Sequence, residues 1–303
     1  MEDGQLSNWK LCIADMVINF VPGSGNPMGE NTNKWESLSE IERLSKVLCE
    51  VSKSNFNYLE LAIPWINNLS NNYTFENVTS LIKEYNITIN SFCSLMPSSI
   101  KTVGPEFDQK LIRGYLEEVF KNCNKLGGNI IVFGSGASRN IPNNYSVDNA
   151  KLDVIKFLTI ADSIIKEKKY TFKIVIEPLN KKECNFINST LEAYDIAKEI
   201  NSNNVGILID TYHAHYQNSN IINDIPYVKD KLFHIHLAQP QGRTWPGSLE
   251  DSNEFSFSVF FDKLKEVSYN GNLTVECNFN NLPLEIDKCY TFLKERIKQR
   301  QIL

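Results

Sequence analysis

Eight short apolar runs recur along the chain, and a longer stretch with apolar residues at helical spacing follows each of them. The runs are rich in Ile, Val, Leu and Phe, and several lack polar alternation, which is typical of parallel strands buried on both faces. The predicted strands occupy residues 10–18, 57–63, 87–95, 129–134, 172–177, 206–210, 232–237 and 272–276. The predicted helices occupy residues 35–51, 75–85, 106–126, 146–168, 191–200, 221–231, 255–267 and 284–297.

Eight strand–helix units predict a parallel sheet whose crossovers are helices. Eight is also the number of strands that closes a (β/α)8 TIM barrel, and a length of 303 residues agrees with that fold. No Pro- or Ser-rich linker divides the chain, so we expect residues 1–303 to form a single α/β barrel domain. Ser37 or Ser39 is a candidate cap for the first helix.

Two connections are unusually long and rich in Gly and Pro. Residues 19–33 follow the first predicted strand, and residues 238–254 follow the seventh. Both would emerge at the C-terminal face of a barrel, where the active sites of this fold lie. We therefore expect them to form a substrate lid rather than surface loops without a function.

Composition narrows the choice of partners. The chain carries 31 Lys and Arg against 36 Asp and Glu, a net charge of −5. This balance disfavours nucleic acid, whose phosphates attract clustered Lys and Arg, and no apolar stretch is long enough to span a membrane. Seven scattered cysteines without a C-x-x-C motif indicate reduced thiols, and residues 1–5 lack the features of a secretory signal. We expect a cytoplasmic protein, and the sequence leaves a homo-oligomer open.

The last four predicted strands end in side chains that bind metals. Each apolar run is closed by one such residue, in the order Glu177, Asp210, His236 and Glu276. In a closed barrel these strand ends surround one point at the C-terminal mouth. Three carboxylates converging there would repel each other strongly unless a divalent cation bound among them. Because the donors are oxygens and one imidazole, we expect one cation, Mn²⁺ before Mg²⁺, Co²⁺ or Zn²⁺.

This constellation resembles the xylose-isomerase-like TIM-barrel superfamily of sugar isomerases and epimerases, and within it the ketose 3-epimerases. The motifs that carry the resemblance are Glu-Pro-Leu-Asn at residues 177–180, an acid at Glu183, Asp-Thr-aromatic-His at residues 210–213, His-x-His at residues 234–236 followed by Arg243, and Glu276. The resemblance implies the same four metal ligands as the strand ends. It also implies that His213, Arg243 and Glu183 contact the substrate.

The residues and the resemblance predict one kind of reaction, a metal-dependent isomerisation or epimerisation of a small sugar or polyol. A cation acidifies the α-proton of a chelated hydroxyketone by stabilising the enediolate that forms when the proton leaves. Glu177 and Glu276 are the predicted proton-transfer pair. Transfer between opposite faces of one carbon gives an epimer, whereas transfer to the neighbouring carbon gives an aldose–ketose isomer.

Three alternatives keep the barrel but change the function. A lyase, either an inosose-type dehydratase or an enzyme that cleaves an oxidised glycoside, would use the same enolate chemistry. An apurinic endonuclease is disfavoured by the acidic balance, and because all four His residues lie between His213 and His236. A non-catalytic binding barrel is disfavoured by the complete ligand set.

Several other residues carry two interpretations each. Trp65 either packs against a sugar face or belongs to the core. Ser135 lies in a Gly-Ser-Gly turn at residues 134–136, which either binds a hydroxyl or phosphate oxygen or is simply a tight turn. Glu60 lies within the second predicted strand and is expected to be a structural ion-pair partner rather than an acid catalyst. His234 could lie one layer deeper in the barrel than His236, and is expected to be a hydrogen-bonded residue of the core or a residue that supports a ligand, rather than a ligand itself. His215 is expected to face away from the site.

Overall fold

The computed structural model describes residues 11–14, 38–56, 58–67, 72–217, 219–249 and 255–298, with only the backbone described for residues 11–14. Eight strands are present in these ranges: β1 (Leu11–Ala14), β2 (Tyr58–Ala62), β3 (Thr88–Cys93), β4 (Ile130–Phe133), β5 (Lys173–Ile176), β6 (Val205–Asp210), β7 (Leu232–Leu237) and β8 (Asn272–Val275). All neighbouring strands are parallel, and β1 pairs with both β2 and β8. The sheet is therefore a closed barrel, as the sequence predicts.

Helices connect the strands around the outside of the barrel. They are α1 (Glu40–Lys53), α2 (Phe75–Glu84), α3 (Gln109–Leu126), α4 (Gly136–Arg139), α5 (Val147–Lys168), α6 (Thr190–Ile200), α7 (Thr211–Tyr216), α8 (Ile221–Val228), α9 (Phe257–Glu266) and α10 (Leu282–Lys298). A 3₁₀ turn covers Ile63–Trp65. The eight longer helices are those predicted, whereas α4, α7 and the 3₁₀ turn are additions directly after strands.

Seven of the longer helices, α1, α2, α3, α5, α6, α8 and α9, begin after a polar residue whose side chain accepts from one of their first N–H groups. Ser39 caps α1 in a capping box with Glu42, so Ser39 rather than Ser37 starts this helix. Ser189 and Glu192 form the same reciprocal arrangement at α6. Each of these helices turns an apolar stripe toward the sheet, and in α1 the buried stripe consists of Leu44, Val47, Leu48 and Val51.

Strands β2–β8 are largely buried on both faces, as their apolar sequences predict. In β4 all four residues are buried, and in β6 all six are. Because every strand runs in the same direction, the C-terminal ends of the strands meet at one rim of the barrel. This arrangement brings residues that are far apart in sequence to one place.

Some sequence predictions fall outside the described residues. These are the long connection at residues 19–33 and the last part of the second long connection, at residues 250–254. The end of the first predicted strand, at residues 15–18, and the start of the first predicted helix, at residues 35–37, also lie outside them. The lid, and the extension of one domain over residues 1–303, therefore stay predictions. Within the described parts of the chain, no helix combines the length and the apolar character that crossing a membrane requires.

Candidate metal centre and active site

Four side chains meet at the C-terminal rim. Glu177 directly follows β5, Asp210 ends β6, His236 lies in β7 and Glu276 directly follows β8. All four residues are buried, and one potential ligand atom from each lies within 4.8 Å of the others. The structure thus brings together the four strand-end residues that the sequence singles out.

His236 lies at the centre of this cluster. Its Nδ1 atom is 3.2 Å from Oε1 of Glu177, 3.2 Å from Oε2 of Glu276 and 3.8 Å from Oδ2 of Asp210. Its other ring nitrogen, Nε2, points away from the cluster and lies 2.9 Å from Oε1 of Glu60. One edge of the imidazole therefore belongs to the cluster and the opposite edge to the barrel interior.

Burial and mutual repulsion shift the titration of the carboxylates. Burial, reinforced by Glu276 and Glu177, raises the pKa of Asp210 to about 8. Burial also raises the pKa of Glu177 above its usual value. Burial alone would raise the pKa of Glu276 too, but the charges of Arg243 and His236 hold it well below the usual value. The positive charges near the cluster are therefore too few to keep Asp210 and Glu177 ionised over the usual pH range of a carboxyl group.

The donor set fits a divalent cation. Within the described part of the chain, Oδ2 of the buried Asp210 has no hydrogen-bond partner, although an unpaired buried oxygen is costly. Carboxylate oxygens with one imidazole and no thiolate match the preferences of Mn²⁺, Mg²⁺ and Co²⁺, and also catalytic Zn²⁺. A cation among these atoms would satisfy Oδ2 and neutralise the repulsion between the carboxylates.

Arg243 reaches the cluster from the loop after β7. Its Nη2 atom donates to Oε2 of Glu276 at 2.6 Å, and its Nη1 atom lies 3.8 Å from Oε1 of Glu183. The guanidinium stacks over the ring of Tyr212 at 4.9 Å. Arg243 has a φ of 51°, in the left-handed region that few side chains adopt. This backbone turn directs the buried, positively charged guanidinium of Arg243 toward Glu276.

His213 is fixed by two neighbouring strand ends. Its backbone N–H donates to Oδ1 of Asp210, which caps α7, at 2.8 Å. Its Nδ1 atom lies 2.9 Å from Nδ2 of Asn180 and accepts from the Asn180 backbone N–H at 3.3 Å. Because both neighbours of Nδ1 are donors, the ring proton resides on Nε2. Burial and the charge of Arg243 hold the pKa of His213 well below its usual value.

Glu183 lies at the outer edge of the same group. It is 37% exposed, and its Oε1 atom accepts from Nδ2 of Asn180 at 2.9 Å and lies 3.9 Å from Nδ1 of His213. The structure therefore groups His213, Arg243 and Glu183 beside the cluster. Their roles in substrate binding stay predictions.

The Gly-Ser-Gly turn after β4 supports Glu177. A Cβ atom on Gly134 would lie only 2.3 Å from Oε2 of Glu177, so this position has space only for hydrogen. Ser135 has a φ of 39°, and its Oγ atom accepts from the backbone N–H of Met96 at 2.9 Å. The tight-turn interpretation accounts for these contacts, and a substrate contact by Ser135 stays a prediction.

The remaining candidates lie away from the cluster or behind it. Trp65 is 4% exposed and packs on Tyr73 with ring centroids 5.1 Å apart, which agrees with its core interpretation. His234 is fully buried, with Nε2 2.8 Å from Oε2 of Glu60, as expected for a residue deeper in the barrel. The ring of His215 lies 5.7 Å from that of Tyr216, outside the cluster.

Sequence reasoning missed the supporting roles of two residues. Asn180 positions His213, although it was already part of the Glu-Pro-Leu-Asn motif. Arg139 is fully buried and donates to the backbone carbonyls of Phe133 at 3.0 Å and Glu177 at 2.7 Å. An Arg shortly after a Gly-Ser-Gly turn was the available signal, but the pattern alone does not show which carbonyls it reaches.

Comparisons with known proteins agree with the barrel fold. A family model described as xylose isomerase-like TIM barrel matches residues 48–295. The L-ribulose 3-epimerase of Methylomonas sp. (strain DH-1) is 24% identical over 252 residues, covering 80% of this chain and 81% of that protein. A probable ketose 3-epimerase of Synechocystis sp. is 24% identical over 199 residues, covering 63% of this chain and 64% of that protein.

A solved structure shows the same fold. The 3-keto-D-glucoside 4-epimerase of E. coli, in its apo form, superposes with a TM-score of 0.70 at 18% identity. The match covers 95% of this chain and 99% of that one. The family match extends over most of the chain and includes all four cluster residues. The protein therefore belongs to the xylose isomerase-like TIM barrel family.

Proposed function

We propose that this protein is a divalent-metal-dependent sugar isomerase or epimerase, acting on a ketose or a related polyhydroxy carbonyl compound. The observation that carries the proposal is the convergence of Glu177, Asp210, His236 and Glu276 within 4.8 Å at the barrel mouth. The relatives named as 3-epimerases of ketoses support both the type of enzyme and a small sugar as substrate.

The four cluster residues would hold the cation, with His236 contributing Nδ1 and Asp210 contributing Oδ2. A bound divalent cation supplies a Lewis acid that stabilises negative charge on substrate oxygens. Burial of the cluster keeps bulk water away, which strengthens every electrostatic interaction within it.

Glu177 and Glu276 form the proposed proton-transfer pair. They follow β5 and β8, with β6 and β7 between them, so they approach a substrate in the mouth from different sides. One carboxylate removes the α-proton and leaves an enediolate, and the other carboxyl group delivers a proton. Delivery to the opposite face of the same carbon gives the epimer. Delivery to the adjacent carbon, with the hydroxyl proton of the enediolate passing to the former carbonyl oxygen, gives the aldose–ketose isomer.

Three neighbouring groups would orient the sugar. His213 is held with Nδ1 against Asn180, which leaves its Nε2–H as a neutral donor for a sugar oxygen. Arg243 holds Glu276 in its ionised form through the 2.6 Å hydrogen bond, and its other guanidinium N–H groups would donate to a sugar oxygen. Glu183, which is partly exposed, would accept from a sugar hydroxyl at the outer edge.

A product screen tests the proposed reaction. Ketohexoses, pentuloses and inososes are incubated with protein and Mn²⁺, and the products are separated by chromatography and weighed by mass spectrometry. The proposal requires a product of the same mass as the substrate. A product that has lost water or an aglycone would contradict it and indicate the lyase alternative.

Substitutions of two cluster residues and of one surface residue test whether the cluster carries out the reaction. Glu177→Gln and Glu276→Gln should each abolish turnover, because each removes a proton-transfer group and a ligand. Glu117→Gln on α3, a residue whose side chain is 41% exposed and lies on the outer surface, should behave as the wild type. Wild-type turnover by either cluster variant would contradict the two-acid assignment.

A further inference from the structure

A buried carboxylate lies behind the metal cluster. Glu60 is in β2, is fully buried, and has Oε1 2.9 Å from Nε2 of His236. Its Oε2 atom lies 2.8 Å from Nε2 of His234 and accepts from Oγ of Ser91 at 2.6 Å. Glu60 thus lies among imidazole and hydroxyl groups that can donate, and both its oxygens face one of them.

The contact with His236 crosses the barrel. Strands β2 and β7 are not neighbours in the sheet, so these two side chains meet in the barrel interior. The contact is close but is not aligned as a hydrogen bond, since within the described part of the chain neither of its two atoms has a hydrogen-bond partner. Its attraction is therefore chiefly that of a buried carboxylate for a nearby N–H dipole, which is strong because the surroundings are apolar.

The two nitrogens of His236 face opposite requirements. To bind a cation, His236 must be a neutral imidazole, which carries one proton, so that one nitrogen donates and the other offers a lone pair. With the proton on Nε2, the N–H lies beside Oε1 of Glu60, and the lone pair of Nδ1 faces the cluster, where a bound cation would accept it. With the proton on Nδ1, that N–H donates to Oε1 of Glu177 at 3.2 Å and leaves no lone pair for a cation, while the lone pair of Nε2 lies 2.9 Å from a carboxylate oxygen, which is repulsive.

We propose that Glu60 is a positioning residue of the metal centre, which keeps the His236 proton on Nε2 and so makes Nδ1 the ligand atom. His234 and Ser91 in turn hold the Glu60 carboxylate in place. The inference rests on the proposed cation site and adds to it the buried support on which the site depends. A carboxylate behind a ligating histidine fixes the ring and makes the metal-bound nitrogen more basic.

A second cation site at Glu60, His234 and His236 is the competing arrangement, because ligand atoms of these residues also lie within 4.8 Å of one another. Such a site would offer a single carboxylate. It would also require the lone pair of His236 Nε2, which moves the ring proton to Nδ1 and removes the only imidazole from the four-residue cluster. The two arrangements therefore differ in which nitrogen of His236 binds the metal.

Nitrogen-15 NMR separates the two arrangements without any substitution. Protein labelled with ¹⁵N-histidine, of which the chain has four, is titrated with ¹¹³Cd²⁺ alone. We expect a cadmium coupling at Nδ1 of His236 and a protonated Nε2 in the same ring. Cadmium coupled to Nε2 of His236 would overturn the inference.

A substitution measures the effect on metal affinity. Glu60→Gln should weaken Mn²⁺ binding by about 10- to 100-fold in a calorimetric titration, because an amide has half the acceptor capacity and no charge. The control is Asp162→Asn, another buried carboxylate, which bonds Ser202 and Asn204 before β6 and should leave the affinity unchanged.

The outcomes separate this inference from the proposed function. Wild-type Mn²⁺ affinity in Glu60→Gln would overturn the positioning role alone. A wild-type protein that binds no divalent cation would overturn both the proposed cation site and the role of Glu60. If Glu60→Gln fails to fold, the NMR measurement on the wild-type protein decides.

Discussion

Replacing Gly134 with Ala tests how tightly the structure holds Glu177. Gly134 follows β4, and the β4–β5 register places Phe133 beside Ile176, so Gly134 lies next to Glu177. The added Cβ atom would lie 2.3 Å from Oε2 and 3.4 Å from Cδ of Glu177. To restore an ordinary contact, the carboxylate must move by about 1 Å.

The magnitude follows from that displacement. Glu177 is only 5% exposed and has Oε1 3.2 Å from Nδ1 of His236, so the movement takes it out of position in the cluster. A misplacement of about 1 Å in a catalytic group costs roughly 100-fold in rate. The free energy of unfolding should fall by only about 1–3 kcal/mol, since one methyl group is inserted into a packed site.

Two measurements and one control variant test the prediction for Gly134→Ala. Calorimetric titration with Mn²⁺ gives the affinity, and turnover of the sugar found in the product screen gives kcat. Gly114→Ala on α3 adds the same methyl group where no atom beyond the adjoining helix backbone lies within 4 Å. It should stabilise the helix by up to about 1 kcal/mol without changing either quantity. Wild-type affinity and kcat in Gly134→Ala would refute the tight placement of Glu177.

Three further outcomes follow from the structure. Since burial raises the pKa of Asp210 to about 8, a cation must displace the proton of this carboxyl group below that pH. The Mn²⁺ affinity measured by calorimetry should therefore rise from pH 6 to 8 and level off above, and an affinity independent of pH would contradict this. Arg139→Met leaves the carbonyls of Phe133 and Glu177 without their buried donor, so the free energy of unfolding measured in urea should fall by about 3 kcal/mol. A fall of less than about 1 kcal/mol would show that the carbonyls find other partners. Fluorescence anisotropy at physiological salt should show negligible affinity for an abasic duplex, given the net charge of −5, and tight binding with strand incision would favour a nuclease.

The barrel could be predicted because its signal is local and repeated. Each strand is an apolar run and each long helix has several turns of apolar spacing, so the element order follows from the sequence. The additional helices α4 and α7 have four and six residues, which is too short for such a period to be recognised. The ligand residues were visible for the same reason, because each one ends an apolar run.

The partners of the residues that support the ligands could not be predicted, because they depend on contacts across the barrel. Glu60 appears in the sequence as one acid inside an apolar strand, and only the closed barrel places it against His236, 176 residues later. The need for glycine at position 134 likewise depends on the register between β4 and β5. Such pairings are absent from the local pattern of either strand.

Transfer of solvent hydrogen to the substrate tests the central claim most directly. A ketose that the Mn²⁺-loaded protein turns over is incubated in D₂O, and deuterium at the carbon next to the carbonyl is followed by NMR. We expect deuterium in the epimer or isomer formed by the wild-type protein, and none in the presence of Glu177→Gln or Glu276→Gln. Deuterium incorporation by either variant at the wild-type rate would contradict proton transfer by these two residues.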